Sequence, residues 1–287
     1  MTKLYKYLSA RSGKLVLEDQ TLRYSKPVAL NDPYDVQLNL RIDFDDEKLK
    51  EEREKFANSV EGQHYIKNML ARVNQVVSSK LTHEEAKWAF CNQDIKELYR
   101  ILENAQITSS NAFRNCKILC FSQEPASALM WAHYSESHQG IVLEFENFTG
   151  IDPDNCPKPE PVIYQEEIPK FVDGKRVIKL SEPKIAHQVC NEAVDKHIFT
   201  KSKEWEYERE MRIWIGAHPD DPASKEDAQN IPFKKEYLKG VILGCRIKPE
   251  DEEYIKKIIS KKYPDVKLYK MQKNTKKFQY DIVPYEG

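Results

Sequence analysis

The run Trp205-Glu206-Tyr207-Glu208-Arg209-Glu210-Met211-Arg212-Ile213-Trp214 is the densest group of side chains able to do chemistry in this chain. Read as a strand, its period of two puts Glu206, Glu208, Glu210 and Arg212 on one face and Tyr207, Arg209, Met211 and Ile213 on the other. Three carboxylates in a row repel one another. A solvated edge strand tolerates that arrangement. A cleft-lining strand tolerates it if Arg212 offsets part of the charge, and one Glu is then left to work on a ligand. On the second of these readings Glu210 and Glu208 are the candidate catalytic residues.

Other polar groups recur at element ends. Asn31-Asp32-Pro33-Tyr34-Asp35 follows a strand pattern; its plain reading is a turn, with Asn and Asp bonding nearby backbone and Pro fixing φ. Ser122 closes the apolar run Ile118-Leu119-Cys120-Phe121. Without a G-x-S-x-G elbow it reads as a ligand-holding hydroxyl rather than a nucleophile. Trp131-Ala132-His133-Tyr134 ends a helix, with His138 five residues beyond His133. That spacing does not align two ligands on one helical face, and neither H-E-x-x-H nor C-x-x-C occurs, so no metal is expected. His133 reads equally as a general base, a ligand donor or a satisfied half-buried histidine. No glycine-rich phosphate loop is present, which counts against kinases, P-loop NTPases and dinucleotide-binding Rossmann enzymes. Lys270, Lys273, Lys276 and Lys277 form a basic patch able to touch phosphates, or simply a solvated hairpin tip.

The elements that must position these groups follow from periodicity. Strands are predicted at 4–8, 21–25, 118–121, 140–145, 162–164, 207–215, 240–244, 266–269 and 278–283, from short apolar or alternating runs bounded by turn residues. Short helices are predicted at 12–19 and 126–134, longer ones at 183–200 and from 248 onward. Between 45 and 110 the sequence turns charged and helix-forming. Apolar stripes there run through Ile66, Met69, Leu70, Val73, Val76 and Val77, and through Ile95, Leu98, Ile101 and Leu102. The expectation is one α+β domain over 1–287, with a mixed, mostly antiparallel sheet and an all-helical insertion of about three helices at 45–110.

Composition bounds the function. With 287 residues the chain can bury a sizeable core, and Lys+Arg 45 against Asp+Glu 46 gives no global field toward nucleic acid or membrane. No secretory h-region or spanning run occurs. The six scattered cysteines read as free thiols. A soluble, cytoplasmic protein is expected.

The motifs together resemble a large bacterial family of unknown function, DUF2971. They are Leu4-Tyr5-Lys6-Tyr7, Ser25-x-Pro27, Asn31-Asp32-Pro33-Tyr34-Asp35, Cys120-Phe121-Ser122, Met130-Trp131-Ala132-His133-Tyr134, Gly140-Ile141-Val142-Leu143-Glu144-Phe145 and Trp205-x-Tyr207-Glu208-x-Glu210-x-Arg212. The order is similar, more loosely, to that of ADP-ribosyltransferases: a basic or His residue on the first strand, a Ser or Tyr on a middle strand and a Glu on a later one. Here those places fall to Lys6 or Tyr7, to Ser122 with Tyr134, and to Glu208 or Glu210. The resemblance implies an ADP-ribosyltransferase-like sheet and NAD as substrate. It also implies a toxin or phage-defence role on a protein or nucleic-acid acceptor. Tyr5, Lys6, Tyr7, Asn31, Asp32, Ser122, Trp131, His133, Tyr134 and Arg212 would then hold the nucleotide. Two other classes stay open. One is a non-catalytic module that senses a nucleotide or phage component, with the helical insertion as its partner surface. The other is a nuclease with Mg²⁺ on Asp32, Glu208 and Glu210.

Overall fold

The computed structural model describes residues 3–76, 80–149, 158–180, 182–216 and 225–285. In chain order it gives β1 (Lys3–Leu8), α1 (Ala10–Asp19), β2 (Thr21–Ser25), then helices α2 (Asp46–Asn58), α3 (Val60–Val76), α4 (His83–Cys91) and α5 (Ile95–Phe113). Next come β3 (Lys117–Ser122), α6 (Ala128–Tyr134), β4 (Ile141–Glu146), β5 (Glu160–Pro161), β6 (Ile163–Gln165), α7 (Gly174–Val177), α8 (Pro183–Phe199) and β7 (Thr200–Ser202). The chain closes with β8 (Glu210–Ile215), β9 (Ala228–Pro232), β10 (Leu238–Leu243), α9 (Pro249–Lys262), β11 (Lys267–Lys273) and β12 (Tyr280–Pro284). Two compact units emerge. One comprises Met1–Gln37, Phe113–Glu166 and Ile198–Gly287; the other comprises Leu38–Ala112 and Glu167–His197.

The first unit is built on a mixed sheet in the order β12-β11-β10-β4-β1-β3-β2-β9, with β8 added on β3 and β5 on β8. Its pairings are antiparallel except β10 with β11, which α9 joins as a crossover. The expected α+β class with a mostly antiparallel sheet is what the chain adopts. Alternation sends Ile141, Leu143 and Phe145 of β4 into a core shared with Leu17, Leu22, Val241 and Ile255, while Val142 joins Tyr5, Tyr7, Trp131, Ile242 and Met271 on the other face. Local chemistry sets the ends. Ser9 caps α1 by accepting from Ser12 N, and α9 opens with Pro249 at its first turn and Glu250, Asp251 and Glu252 against the helix dipole. Two close backbone approaches demand glycine. A Cβ on Gly140 would lie 2.0 Å from the Leu8 carbonyl oxygen, and one on Gly244 would lie 2.2 Å from that of His138.

The second unit has its own core, in which Leu49, Tyr65, Ile66, Phe90, Leu98 and Leu102 pack with Phe171, Val177, Val189 and Ala193. Four helices cover the stretch read as three, and residues 167–197 add two more, α7 and most of α8. A full capping box, Thr82 with Glu85, starts α4. Val77 of the predicted stripe lies outside the described residues.

One local expectation is overturned. Residues 203–208 are not strand but a 3-10 turn, Arg209 is left-handed at φ 44°, and β8 begins only at Glu210. Polar-apolar alternation describes both arrangements, and the backbone bond from Arg209 N to the Glu206 carbonyl closes the turn instead. Glu206 stays exposed; Glu208 and Glu210 are buried. The solvated edge strand is thereby ruled out for those two. Cys91, Cys116, Cys120, Cys190 and Cys245 carry free thiols, and Cys156 lies outside the described residues. Among the described residues no helix is long and apolar enough to cross a membrane.

Candidate functional site

Strand β3 pairs with β8 along its whole length, from Lys117–Ile215 to Ser122–Glu210. Its other edge meets β1 at Tyr5–Ser122 and β2 at Ser25–Ile118. Between these two points the sheet parts into a cleft of about 250 Å³, walled by Tyr5, Tyr7 and Tyr134, with Ser122, Lys201, Glu208 and Glu210 among the residues that line it. Lys6 Nζ donates to the Cys120 carbonyl oxygen at 2.7 Å, giving a strand carbonyl at the parted edge a partner.

Five buried charges form the deep side. Arg212 and Glu210, two apart on β8, share a face and meet through two bonds of 2.9 Å, Nε to Oε1 and Nη2 to Oε2. Arg212 Nη2 also donates to Asp35 Oδ2 at 2.7 Å, and Nη1 to the Ile198 carbonyl at 2.6 Å. Lys201, on β7, donates to Glu208 Oε2 at 2.6 Å and to Glu210 Oε2 at 3.3 Å, and its Nζ lies 3.4 Å from Asp35 Oδ2. The ring of Trp205 covers the same ammonium at 4.8 Å. Tyr134 donates to Glu208 Oε1 at 2.5 Å and accepts from Asn31 Nδ2 at 2.9 Å. Ser122 Oγ donates to the Glu208 carbonyl at 2.6 Å, pinning the 3-10 turn to β3. Three carboxylates face Lys201 and Arg212, and Lys6 on the same cleft is a third cation within reach of Glu210, so with all six ionised the charges balance.

The environment drives the two glutamates apart. Burial works against the Glu210 carboxylate, but Arg212 and Lys201 override it and hold the group at about 2. Burial likewise disfavours ionised Glu208, and there Lys201 does not prevail, so its pKa is raised. Burial opposes the Lys201 ammonium too, yet Glu210, Asp35 and Glu208 together keep it above the usual lysine range. Tyr134 is pushed up by burial and by Glu208 beside it. A carboxyl kept low beside one pushed high is the pattern that separates a fixed anion from a group that exchanges a proton.

Of the residues singled out by sequence, Tyr5, Lys6, Tyr7, Asn31, Ser122, Tyr134, Glu208 and Glu210 line this one cleft. Arg212 is fully buried and touches Glu210 and Asp35. Three others have plainer roles. Asp32 Oδ1 accepts from Tyr34 N at 2.9 Å, closing an Asx turn. Trp131 is fully buried, with Nε1 donating to the Pro125 carbonyl at 2.9 Å. His133 is exposed at the end of α6, its ring 6.4 Å from that of Tyr207. Sequence reasoning missed Asp35, Lys201 and Arg23. Asp35 lies inside the Asn31–Asp35 motif and could have been found there; Lys201 has no local signal, because its partners are brought to it by the fold. Asp35 Oδ1 is buried with no hydrogen-bond partner among the described residues, an acceptor that a ligand or water must satisfy.

Comparison with known proteins adds one finding. Residues 130–213, from α6 through β8, match the model of a family described as a protein of unknown function (DUF2971). The resemblance read from the motifs is borne out over that stretch, which holds Tyr134, Lys201, Glu208, Glu210 and Arg212. No curated protein and no solved structure matches the chain.

Proposed function

We propose that the cleft receives the nicotinamide-riboside end of NAD and that the protein is an ADP-ribosyltransferase-like enzyme in which Glu208 meets the reacting carbon. The observation that carries this reading is the buried carboxyl pair of this cleft, Glu208 pushed up beside Glu210 held down, beneath walls of Tyr5, Tyr7 and Tyr134. A flat, cationic ring suits such a pocket, since aromatic faces and the Glu208 carboxylate both favour it. Nicotinamide in NAD is such a ring. When its bond to ribose C1′ breaks, the electron pair goes to the ring nitrogen and the positive charge moves onto the ribose. Glu208 then opposes that charge, and takes the proton released when an acceptor hydroxyl or amine attacks C1′. Glu210 is held by Arg212 and Lys201, and Lys201 also holds the Glu208 carboxyl in place.

Size is consistent with one end of the dinucleotide. About 250 Å³ lies below the usual range of roughly 300–1,000 Å³ for ligand pockets, so the diphosphate would lie outside it. Arg23 stands exposed on the cleft wall and makes no ion pair among the described residues, which leaves it open to a phosphate. The test is nicotinamide release from NAD, with cell extract as the source of acceptor. Glu208→Gln is expected to cut the rate by about 10² or more while leaving NAD binding. Absence of both NAD binding and nicotinamide release by the wild type would sink the proposal.

A second reading, a nucleotide sensor without turnover, is favoured by the fact that both oxygens of Glu208 and of Glu210 already have partners. Tight NAD binding with no nicotinamide released would select it. The Mg²⁺-dependent nuclease loses its donor set, because Asp32 is spent on its turn and Arg212 and Lys201 stand where a cation would.

A further inference from the structure

We infer that the hairpin joining β11 to β12 is a docking platform for single-stranded nucleic acid. Its tip carries the most exposed large apolar side chain among the described residues, Phe278, with a relative exposure of 114%. Phe278 follows Lys276 and Lys277 directly, and both lysines are exposed. The tip is fixed rather than loose. Asn274 accepts from the backbone N–H groups of Lys276 and Lys277 through Oδ1, at 2.8 Å each, donates its own N–H to the Gln279 carbonyl at 3.0 Å, and donates Nδ2 to Asp281 at 2.8 Å. A ring held this far into solvent gains nothing for the fold, and a preordered turn presents it without an ordering cost on binding.

Below the tip the same pairing of rings with cations continues. Lys273 stands opposite Tyr280 in the β11–β12 ladder, and the Tyr280 ring lies 5.2 Å from that of His138. His138 closes a run of three left-handed residues, Glu136 at φ 50°, Ser137 at 53° and His138 at 68°. Its carbonyl accepts from Arg246 N at 3.0 Å, which brings Arg246 to the same place. Between residues 267 and 284 the sequence carries five lysines and one carboxylate, Asp281, which Asn274 already binds. Lys270 is paired with Glu252, whereas Lys273, Lys276, Lys277 and Arg246 make no ion pair among the described residues.

Unpaired cations beside one exposed ring, Phe278, and the half-buried Tyr280 complement a phosphate chain whose bases are free to stack. Duplex bases are already stacked on one another and leave no face for Phe278, so the single strand is the fitting partner. A membrane surface would use the lysines but needs more apolar area than one ring. The neighbours of Phe278 are Asn274, Thr275, Gln279 and the lysines themselves. This binding requires no turnover in the cleft, so a chain inert toward NAD tests it equally well.

The experiment is fluorescence anisotropy of the full chain with labelled 12-nucleotide oligouridylate and oligothymidylate, repeated from low to physiological salt. Phe278→Ala is expected to weaken binding roughly tenfold. Lys276→Gln with Lys277→Gln is expected to reduce the salt slope by about 0.7 for each phosphate that the two lysines neutralise. These residues are exposed at a hairpin tip, and unchanged circular dichroism verifies that the variants fold. No binding at low salt overturns the inference, as does binding that neither variant alters. Vesicles with 30% anionic lipid run in parallel; stronger binding to them than to the oligonucleotides, abolished in Phe278→Ala, assigns the tip to a lipid surface instead and overturns it as well.

Discussion

In the helical unit Arg41 pairs with Asp43 and Glu167, and Lys170 pairs with Asp43, at 2.5–2.9 Å. In the sheet unit Lys201 and Arg212 pair with Asp35, Glu208 and Glu210 at 2.6–3.4 Å. Distance does not separate the two sets; exposure does. The helical-unit side chains are 33–79% exposed, those of the cleft 0–6%. In water such pairs contribute about 0–1 kcal/mol each and are screened by salt. Out of water the desolvation of each ion costs several kcal/mol, and an apolar set of the same volume often serves stability as well or better. A buried charge cluster is thus poorly explained by stability, and better explained by what the charges do at the cleft.

The largest effect expected from this contrast is that of Arg212→Met. It leaves Glu210 and Asp35 buried without their main partner, which costs about 3–5 kcal/mol by urea unfolding, or prevents folding outright. A loss under about 1 kcal/mol would place the cleft pairs with the exposed ones and break the distinction.

A pH titration of stability sharpens it next. Glu210 held at about 2 against 4.5 in the unfolded chain is worth roughly 3 kcal/mol. Its folded pKa is depressed, so that contribution is whole above pH 4.5 and is lost as pH falls through 2. Glu208 has the opposite sign. Its folded pKa is raised by burial, so what it contributes is whole below 4.5 and is lost as pH rises through the folded value. Urea midpoints from pH 2 to 8 are expected to show a shallower acid limb in Glu210→Gln, and a gain at neutral pH in Glu208→Gln. The same acid limb in wild type and Glu210→Gln would mean that Arg212 and Lys201 do not hold that carboxyl down.

How much of this could be read in the sequence depended on whether the cause was local. Thr21–Ser25, Ile141–Phe145 and Pro183–Phe199 were legible because apolar spacing and flanking turn residues specify them within a few positions. Trp205–Glu208 was not, since its alternation fits a strand as well as the 3-10 turn that forms. The decisive contacts there, Ser122 to the Glu208 carbonyl and Lys201 to its carboxylate, bridge separate elements. Glu208 and Glu210 stood out by residue type, but their unlike states did not, because Arg212 clamps one while burial outweighs Lys201 at the other. Lys201 was invisible for the same reason: nothing within a few residues marks a lysine as buried among three carboxylates. The short strands β7 and β9 were likewise missed, being held by pairing with β6 and β2 rather than by pattern.

The smallest effect belongs to the exposed set. Lys170→Ala removes an ammonium 2.9 Å from Asp43, with both side chains half exposed. Asp43 keeps Arg41 at 2.9 Å, and Arg41 keeps Glu167. The carbonyl of Lys170 still accepts from Lys196 Nζ at 2.9 Å, since that bond uses backbone. One screened ion pair and a long, exposed hydrogen bond to the Asp43 carbonyl disappear, offset in part by side-chain freedom regained, so the expected change is within about 0.5 kcal/mol and shrinks further in 0.5 M salt. Lys201→Met offers the matched measurement in the cleft. It removes the same group from three carboxylates with no water to replace it, so its cost should exceed that of Lys170→Ala several-fold and should not fade with salt. Equal costs would mean that exposure does not govern these pairs, and the case for assigning the buried set to function would fall with it.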